Sequence, residues 1–461
     1  MKSKLNLALG LILLIGLTAC EKDEINPIDN DGFDFGNQAV KTYNNGIIKS
    51  YSSDAVLKWS EALAVALDNT LPQPADAKIY VMVSLAVHDA LNNVVPKYET
   101  YAMDNTAVNA KDITKKNIHA IADAAVAQAA HDVLVALFPP SQATFGPLLQ
   151  SSLAEISDVE SKQKGIAIGK DAAASLLLKR QGDFPLMFTT HVGPSGPGQY
   201  QSDFLPWMNP GPVWPANAVY APNLGDLTPF GIRFGDQFRN EAPYPINSAE
   251  YTADYNEVKA LGCLVCPDRT AEQEEIGMFW IENNSSLMAR ISRSLIAQEK
   301  LNGWEAARLI ALVEMSIMDA YIASFEGKRY FNLWRPITAI RNGDTDGNPD
   351  TVGDPSWTAF ERVPPTPEFP STHSYTGGAA TAVFQSFFKK DVTPFEVESP
   401  YNSPGVVRTI SSFSQIADEN ATSRIYIGYH FRYATTLGKK QGLELGKYVF
   451  DNNLRELQNL H

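Results

Sequence analysis

Three short clusters in the last third of the chain hold the residue types best suited to chemistry. They are Lys328 with Arg335-Pro336, then Pro370-Ser371-Thr372-His373, then Ser423-Arg424 with His430. Brought together they supply three cations, a hydroxyl at a helix start and two imidazoles. An oxyanion of tetrahedral or trigonal-bipyramidal shape needs several charge-assisted donors and little else to be held tightly.

Each cluster alone has a bland explanation. Lys and Arg are favoured at helix C-termini, Ser371 suits a plain N-cap, and a lone His is often a core residue. Together the bland explanations weaken, because so many specified residues in this order and spacing arise by chance in roughly one chain in 10⁴ or fewer. Pro336 stops helical continuation, so Lys328 and Arg335 are expected to converge from a loop or short turn. Ser371 or Thr372 is expected at a helix N-cap with backbone N–H groups free for an anion, and His373 beside it as a proton carrier. Arg424 and His430 stand six apart, about 120° of rotation on a helix. A loop or broken helix is therefore expected to bring both to the site.

The set resembles the three-part signature of the type 2 phosphatidic acid phosphatase and vanadium-dependent haloperoxidase superfamily. Neighbouring text is similar to the bacterial haloperoxidase branch: Trp334-Arg335-Pro336-Ile337-Thr338-Ala339-Ile340-Arg341, Asp354-Pro355-Ser356-Trp357 and Arg269-Thr270-Ala271-Glu272-Gln273. The resemblance implies a vanadate cofactor bound through His430, with Lys328, Arg335 and Arg424 neutralising its oxygens. Ser371 and the Thr372 backbone would donate to it, and His373 would act as acid/base. Hydrogen peroxide and a halide, iodide or bromide, are the implied substrates. Lys328 would polarise the peroxide as halide attacks. The same residues also serve phosphate monoester hydrolysis, with His430 as nucleophile, so an exported acid phosphatase is the first rival. A non-catalytic surface-binding lipoprotein with an aromatic platform at Trp207–Trp214 is the second.

Two positions depart from the family pattern. Thr372 stands where Gly is usual, and Thr366 stands where a Phe commonly lines the halide side. Trp334 and Phe369 are the remaining candidates for an aromatic wall. Glu314 and Asp319, acids in an apolar helix, are expected to orient or pair with the site's cations.

A net charge of -14 over 461 residues argues against nucleic acid, which needs a basic footprint. Lys2 and Lys4 precede an apolar run, Leu5 to Leu17, that is too short to span a bilayer and ends in Leu17-Thr18-Ala19-Cys20. This resembles a lipobox: residues 1–19 a signal peptide, Cys20 acylated, 20–51 a polar tether, and the mature protein an exported, outer-membrane lipoprotein. No second apolar run is expected to reach membrane-spanning length. Cys263 and Cys266 are expected to form a short-range structural disulfide. Asp344-Thr345-Asp346-Gly347-Asn348-Pro349-Asp350 lacks the glycine and glutamate positions of a calcium hand, so a solvated acidic loop is expected. His88, His119, His131, His191 and His461 show no ligand-like grouping.

The elements that must position the clusters are mostly helices. Periodicity predicts them over 54–69, 75–93, 112–137, 158–180, 271–296, 303–325, 374–388, 407–419 and 433–453. Thr270 with Gln273, and Asn302 with Glu305, have capping-box spacing. The pattern lapses between Gly182 and Ser248 into Pro-, Gly- and aromatic-rich text. The fold expected is all-α: two packed helical bundles, an N-terminal half over 52–200, an irregular connector over 201–262, and a C-terminal half over 263–461 carrying the site.

Overall fold

In the computed structural model the described residues are 46–67, 71–202, 217–239, 241–400 and 403–457. Cys20 and the residues 1–19 expected to form a signal peptide, with Trp207, Trp214 and His461, lie outside them. The architecture is helical, as expected. The N-terminal half holds α1 (Asp54–Leu67), α2 (Gln73–Val94), α3 (Ile118–Leu137), α4 (Gln142–Ala154) and α5 (Val159–Lys179). After two short paired strands, β1 (Phe188–Thr190) and β2 (Ala218–Tyr220), come α6 (Ala249–Leu261), α7 (Ala271–Phe279) and α8 (Asn284–Glu299). Then follow α9 (Gly303–Phe331), α10 (Pro336–Arg341), α11 (Thr372–Phe388), α12 (Phe413–Tyr426) and α13 (Arg432–Asn452). One apolar cluster runs from Ile47 to Leu454, so both halves share a core.

The centre of that core is α9, buried nearly all round, as its sequence predicts. The expected capping boxes form at Asn302–Glu305 and Thr270–Gln273. Its far end differs from expectation. The helix continues past Phe325 to Phe331 and closes on Asn332 at φ 46°, so Lys328 projects from its last turn rather than from a loop. The predicted 271–296 helix is broken at residues 280–283, where the Asn283 side chain caps a fresh start. The predicted 407–419 helix is half strand: β3 (Val392–Ser399) pairs antiparallel with β4 (Ser403–Ser412), and helix begins only at Phe413. The inward residues of β3 are Thr393, Phe395, Val397 and Ser399, and two hydroxyls among four hide the alternation.

Helix α3 starts later than the predicted 112–137 helix, yet against expectation it is by length and composition alone apolar enough to cross a membrane. It is alanine-rich and mostly buried between its neighbours, which is the behaviour of a core helix.

Two packing devices set the site's frame. On α13, Gly438, Gly442 and Gly446 repeat every four residues; a Cβ on Gly442 or Gly446 would strike the carbonyl of Tyr375 or Ala379 on α11. The stripe lets the two helices touch backbone to backbone, which brings the start of α11 against the chain that leads out of His430. The irregular segment is fastened by Asp319 of α9, whose carboxylate accepts the backbone N–H groups of Phe230, Gly231 and Ile232 at 2.6, 2.6 and 2.8 Å. Burial wins over those three donors and pushes its carboxyl up to about 6. Asp319→Asn leaves one acceptor oxygen and turns an amide donor towards a third N–H. It is expected to cost about 2–4 kcal/mol in urea unfolding and to open residues 228–233 to protease first; an unchanged urea midpoint contradicts this role.

Candidate active site

Each cluster reaches the site by a different local device. Lys328, in the last turn of α9, donates from Nζ to the carbonyls of Pro367 and Glu368 at 2.6 and 2.9 Å. Arg335 is the residue before Pro336 opens α10, and its extended backbone throws the side chain back towards the same strap. Its Nε donates to Thr366 O (2.7 Å), Nη2 to Thr366 Oγ1 (2.9 Å), and Nη1 to Tyr429 O and His430 Nε2, both at 3.0 Å. Arg424, in the last turn of α12, donates from Nε to Ser423 Oγ and from Nη2 to Trp280 O at 2.8 Å. Beyond it Gly428 (φ 80°) reverses the chain, and a Cβ there would collide with Gly262 O. That turn delivers Tyr429 and His430 to the site from the break between two helices, as the spacing of Arg424 and His430 implied.

Lys328, Arg335, Thr372, His373, Arg424 and His430 line one cavity of about 300 Å³. All three cations are at most 2% exposed. None makes an ion pair with a carboxylate among the described residues; their bonds go to carbonyls, hydroxyls and His430. Burial pulls Lys328 well below the ordinary lysine range, Arg335 beside it adds to this, and Arg335 and Arg424 fall to about 10.

The two imidazoles are neutral for the same reason. Burial, then the cations Arg335, Lys328 and Arg424, hold His430 well below its usual value; burial and Arg424 do so for His373. Arg335 can only donate, so His430 Nε2 bears the lone pair and Nδ1 the proton, which it gives to Glu368 Oε1 at 3.0 Å. His373 Nε2 lies 2.6 Å from Trp280 O, an acceptor, so its proton sits on Nε2 and its lone pair on Nδ1.

Other expectations need correction. Ser371 is the N-cap of α11, and its Oγ is engaged by the Ser374 backbone N–H and hydroxyl rather than facing the cavity. Thr372 is at the cavity, and it is the hydroxyl of this residue that is buried with no partner. Trp334 and Phe369 stand behind the site in a second apolar cluster, Trp334 bonded to Tyr251 and Phe369 packed on Tyr433. The aromatic wall comes instead from Phe188, Tyr220, Tyr321 and Phe325. Glu314 and Asp319 do not meet the cations: Asp319 holds residues 230–232, and Glu314 is buried with a carboxyl pushed well above its usual value. Cys263 and Cys266 are joined. In the acidic loop, Asp344 and Asp346 accept from Gly353 N, Asn348 N and Thr351 Oγ1.

Two features are not read from the sequence, Glu368 and Trp280 O, and the role of a third, Thr366, differs from expectation. Trp280 O gives no side-chain signal, being a backbone acceptor where a helix breaks. Glu368, fully buried two residues before Pro370, offered only its acidity in an apolar strap. Thr366 was noted as a missing aromatic, whereas it clamps Arg335 twice. Thr366→Val keeps the carbonyl and removes one acceptor, at an expected cost of about 0.5–1.5 kcal/mol in denaturant unfolding; no change would mean the hydroxyl is idle.

Residues 308–459 match the VCPO second helical-bundle domain. Over 78% of this chain, and 74% of the relative, the sequence is 26% identical to vanadium chloroperoxidase of Curvularia inaequalis. Over this region the chain is similar to the vanadium-dependent haloperoxidases. The fold agrees with that placement. A bacterial vanadium-dependent iodoperoxidase superposes with a TM-score of 0.71 at 21% identity, over 89% of this chain and 99% of the other. A bacterial vanadium-dependent chloroperoxidase, in its apo form, gives 0.65 at 17% identity over 83% and 94%.

The haloperoxidase cofactor, vanadate, suits the cavity on its own terms. Among the described residues, three buried cations lack a carboxylate ion pair, the Thr372 hydroxyl has no hydrogen-bond partner, and a neutral imidazole presents a lone pair beside them. A multiply charged oxyanion that accepts one nitrogen ligand answers all three.

Proposed function

We propose that this chain oxidises halide with hydrogen peroxide at a vanadate held by His430. The observation that carries the reading is His430 Nε2, a lone pair fixed within one buried cavity with Lys328, Arg335 and Arg424. Bound there, vanadate supplies Lewis acidity towards peroxide oxygen without changing its own oxidation state.

The chain's residues do the rest. Lys328, Arg335 and Arg424 spread positive charge over the oxyanion, and the Thr372 hydroxyl donates to it. His373, with Nε2 committed to Trp280, uses Nδ1 to take a proton from incoming hydrogen peroxide and later returns it to the leaving oxygen. Lys328 would place positive charge beside the oxygen that halide must reach, within the same cavity. Iodide is the first halide expected, because Thr366 replaces the aromatic of the halide side and the iodoperoxidase fold is a near match. Purified protein loaded with orthovanadate should form triiodide from iodide and hydrogen peroxide and leave p-nitrophenyl phosphate intact. Phosphate ester turnover with no iodide oxidation would replace this reading with the phosphatase.

The enzyme acts outside the cytoplasm, tethered by an acylated Cys20. The basic, apolar, lipobox-like order of residues 2–20 supports this. Cys20→Ala should abolish labelling by a palmitate analogue and move the protein from the membrane fraction to the soluble one; retention of label would reject the anchor.

A further inference from the structure

We infer that Glu368 is the positioning residue for His430, the group that keeps its Nε2 aimed at the cofactor once the cofactor has arrived. The inference rests on the reading of His430 as the vanadate ligand and extends it to a residue outside the three clusters.

Two groups hold the His430 ring. Arg335 Nη1 donates to Nε2 at 3.0 Å, and Glu368 Oε1 accepts from Nδ1 at 3.0 Å. A nitrogen lone pair serves one partner at a time, so a metal at Nε2 displaces Arg335 from it. Arg335 is then free to turn its N–H groups to the oxyanion. Glu368 is then the side-chain partner left to the ring among the described residues. A ring nitrogen bonded to a carboxylate fixes the tautomer and the plane, and makes the opposite nitrogen a better ligand.

Glu368 is itself well placed to be rigid. It is fully buried, and the same Oε1 accepts the backbone N–H of Phe431 at 3.0 Å, the residue after His430. Its backbone is tied too: its N–H donates to Leu333 O and its carbonyl accepts from Lys328. One residue thus links the Lys328 helix, the Arg335 strap and the His430 turn. Arg335 waits at the ligand's seat and Glu368 keeps the seat's orientation.

The test separates ligation from simple charge attraction by using two oxyanions. Phosphate is held by the cations alone, whereas vanadate also takes Nε2. Glu368→Leu removes the acceptor from Nδ1 and leaves an apolar side chain in its place. Vanadate affinity, by equilibrium dialysis with metal quantitation, should weaken by roughly 10–100-fold, while phosphate binds as well as before or better. Glu368→Gln keeps an acceptor for Nδ1 and should restore vanadate affinity to wild type or above. In a His430→Ala background, Glu368→Leu should add no further loss. A general disturbance of the site would weaken both anions and would overturn the inference, as would unchanged vanadate binding in Glu368→Leu or a Gln variant as weak as the Leu one. Wild-type protein that does not prefer vanadate to phosphate would instead reject the proposed function.

Discussion

His430→Ala is expected to eliminate halide oxidation and to reduce vanadate affinity by more than the roughly 10–100-fold that loss of a mere supporting group costs. The imidazole is 4% exposed and makes no apolar core of its own; it sits between Arg335 and Glu368 at the edge of a cavity. Deleting it therefore enlarges a polar hollow and leaves Glu368 with the Phe431 N–H as a partner. Loss of fold is not expected, and a thermal midpoint near wild type is part of the prediction. The three cations remain, so vanadate can still be drawn in as a loose anion, displaceable by phosphate and salt. Dialysis with metal analysis, run beside iodide oxidation, reads both effects. Retained peroxidase turnover in the variant would mean that the cations alone hold a working cofactor, and the role given to His430 would be lost.

The sequence and the structure diverge along a physical line. What is local was legible. Asn302 with Glu305 and Thr270 with Gln273 encode their own caps within four residues, and the helices they open begin where expected. The site's charged residues were legible too, because buried Lys and Arg are costly and have few uses other than an anion. What depends on distant backbone was not. His373 and Arg424 converge on Trp280 O, and although Asn283 caps the next helix, nothing local says that the freed carbonyl of Trp280 faces the site. The run Gly327-Lys328-Arg329 looks like a helix end, yet packing against Pro370 and the strap carries α9 to Phe331. The aromatic wall is drawn partly from Phe188 and Tyr220 of the irregular segment, whose position is set by a strand pairing without periodic signal. Even Ser371 obeyed the plainer rule, since a helix N-cap one residue before a binding hydroxyl spends its oxygen on the helix.

Lys328→Met tests the electrostatic half of the site. Methionine keeps the length and apolar stem of lysine while removing the ammonium. In the guest-free protein two terms oppose each other: an ammonium no longer has to be desolvated, and the carbonyls of Pro367 and Glu368 lose their donor. The thermal midpoint without vanadate is thus expected to move little. With vanadate the terms no longer balance, because a charged donor to the oxyanion is worth about 1.5–3 kcal/mol. Affinity should fall by roughly 10–100-fold, and the stabilisation that a fixed vanadate concentration gives should shrink with it. Halide oxidation should fall further than binding does, since the missing charge also faces the reacting oxygen. The sign of the pH effect follows from the depressed lysine: below its folded pKa the ammonium is charged and contributes, and above it the proton is lost at a lower pH than an ordinary lysine requires. The wild-type advantage over Lys328→Met should therefore be widest below that folded pKa and narrow as pH rises through it. Equal affinities below that pKa, or a constant ratio as pH rises through it, would remove Lys328 from the oxyanion's shell and leave Arg335 and Arg424 to hold it.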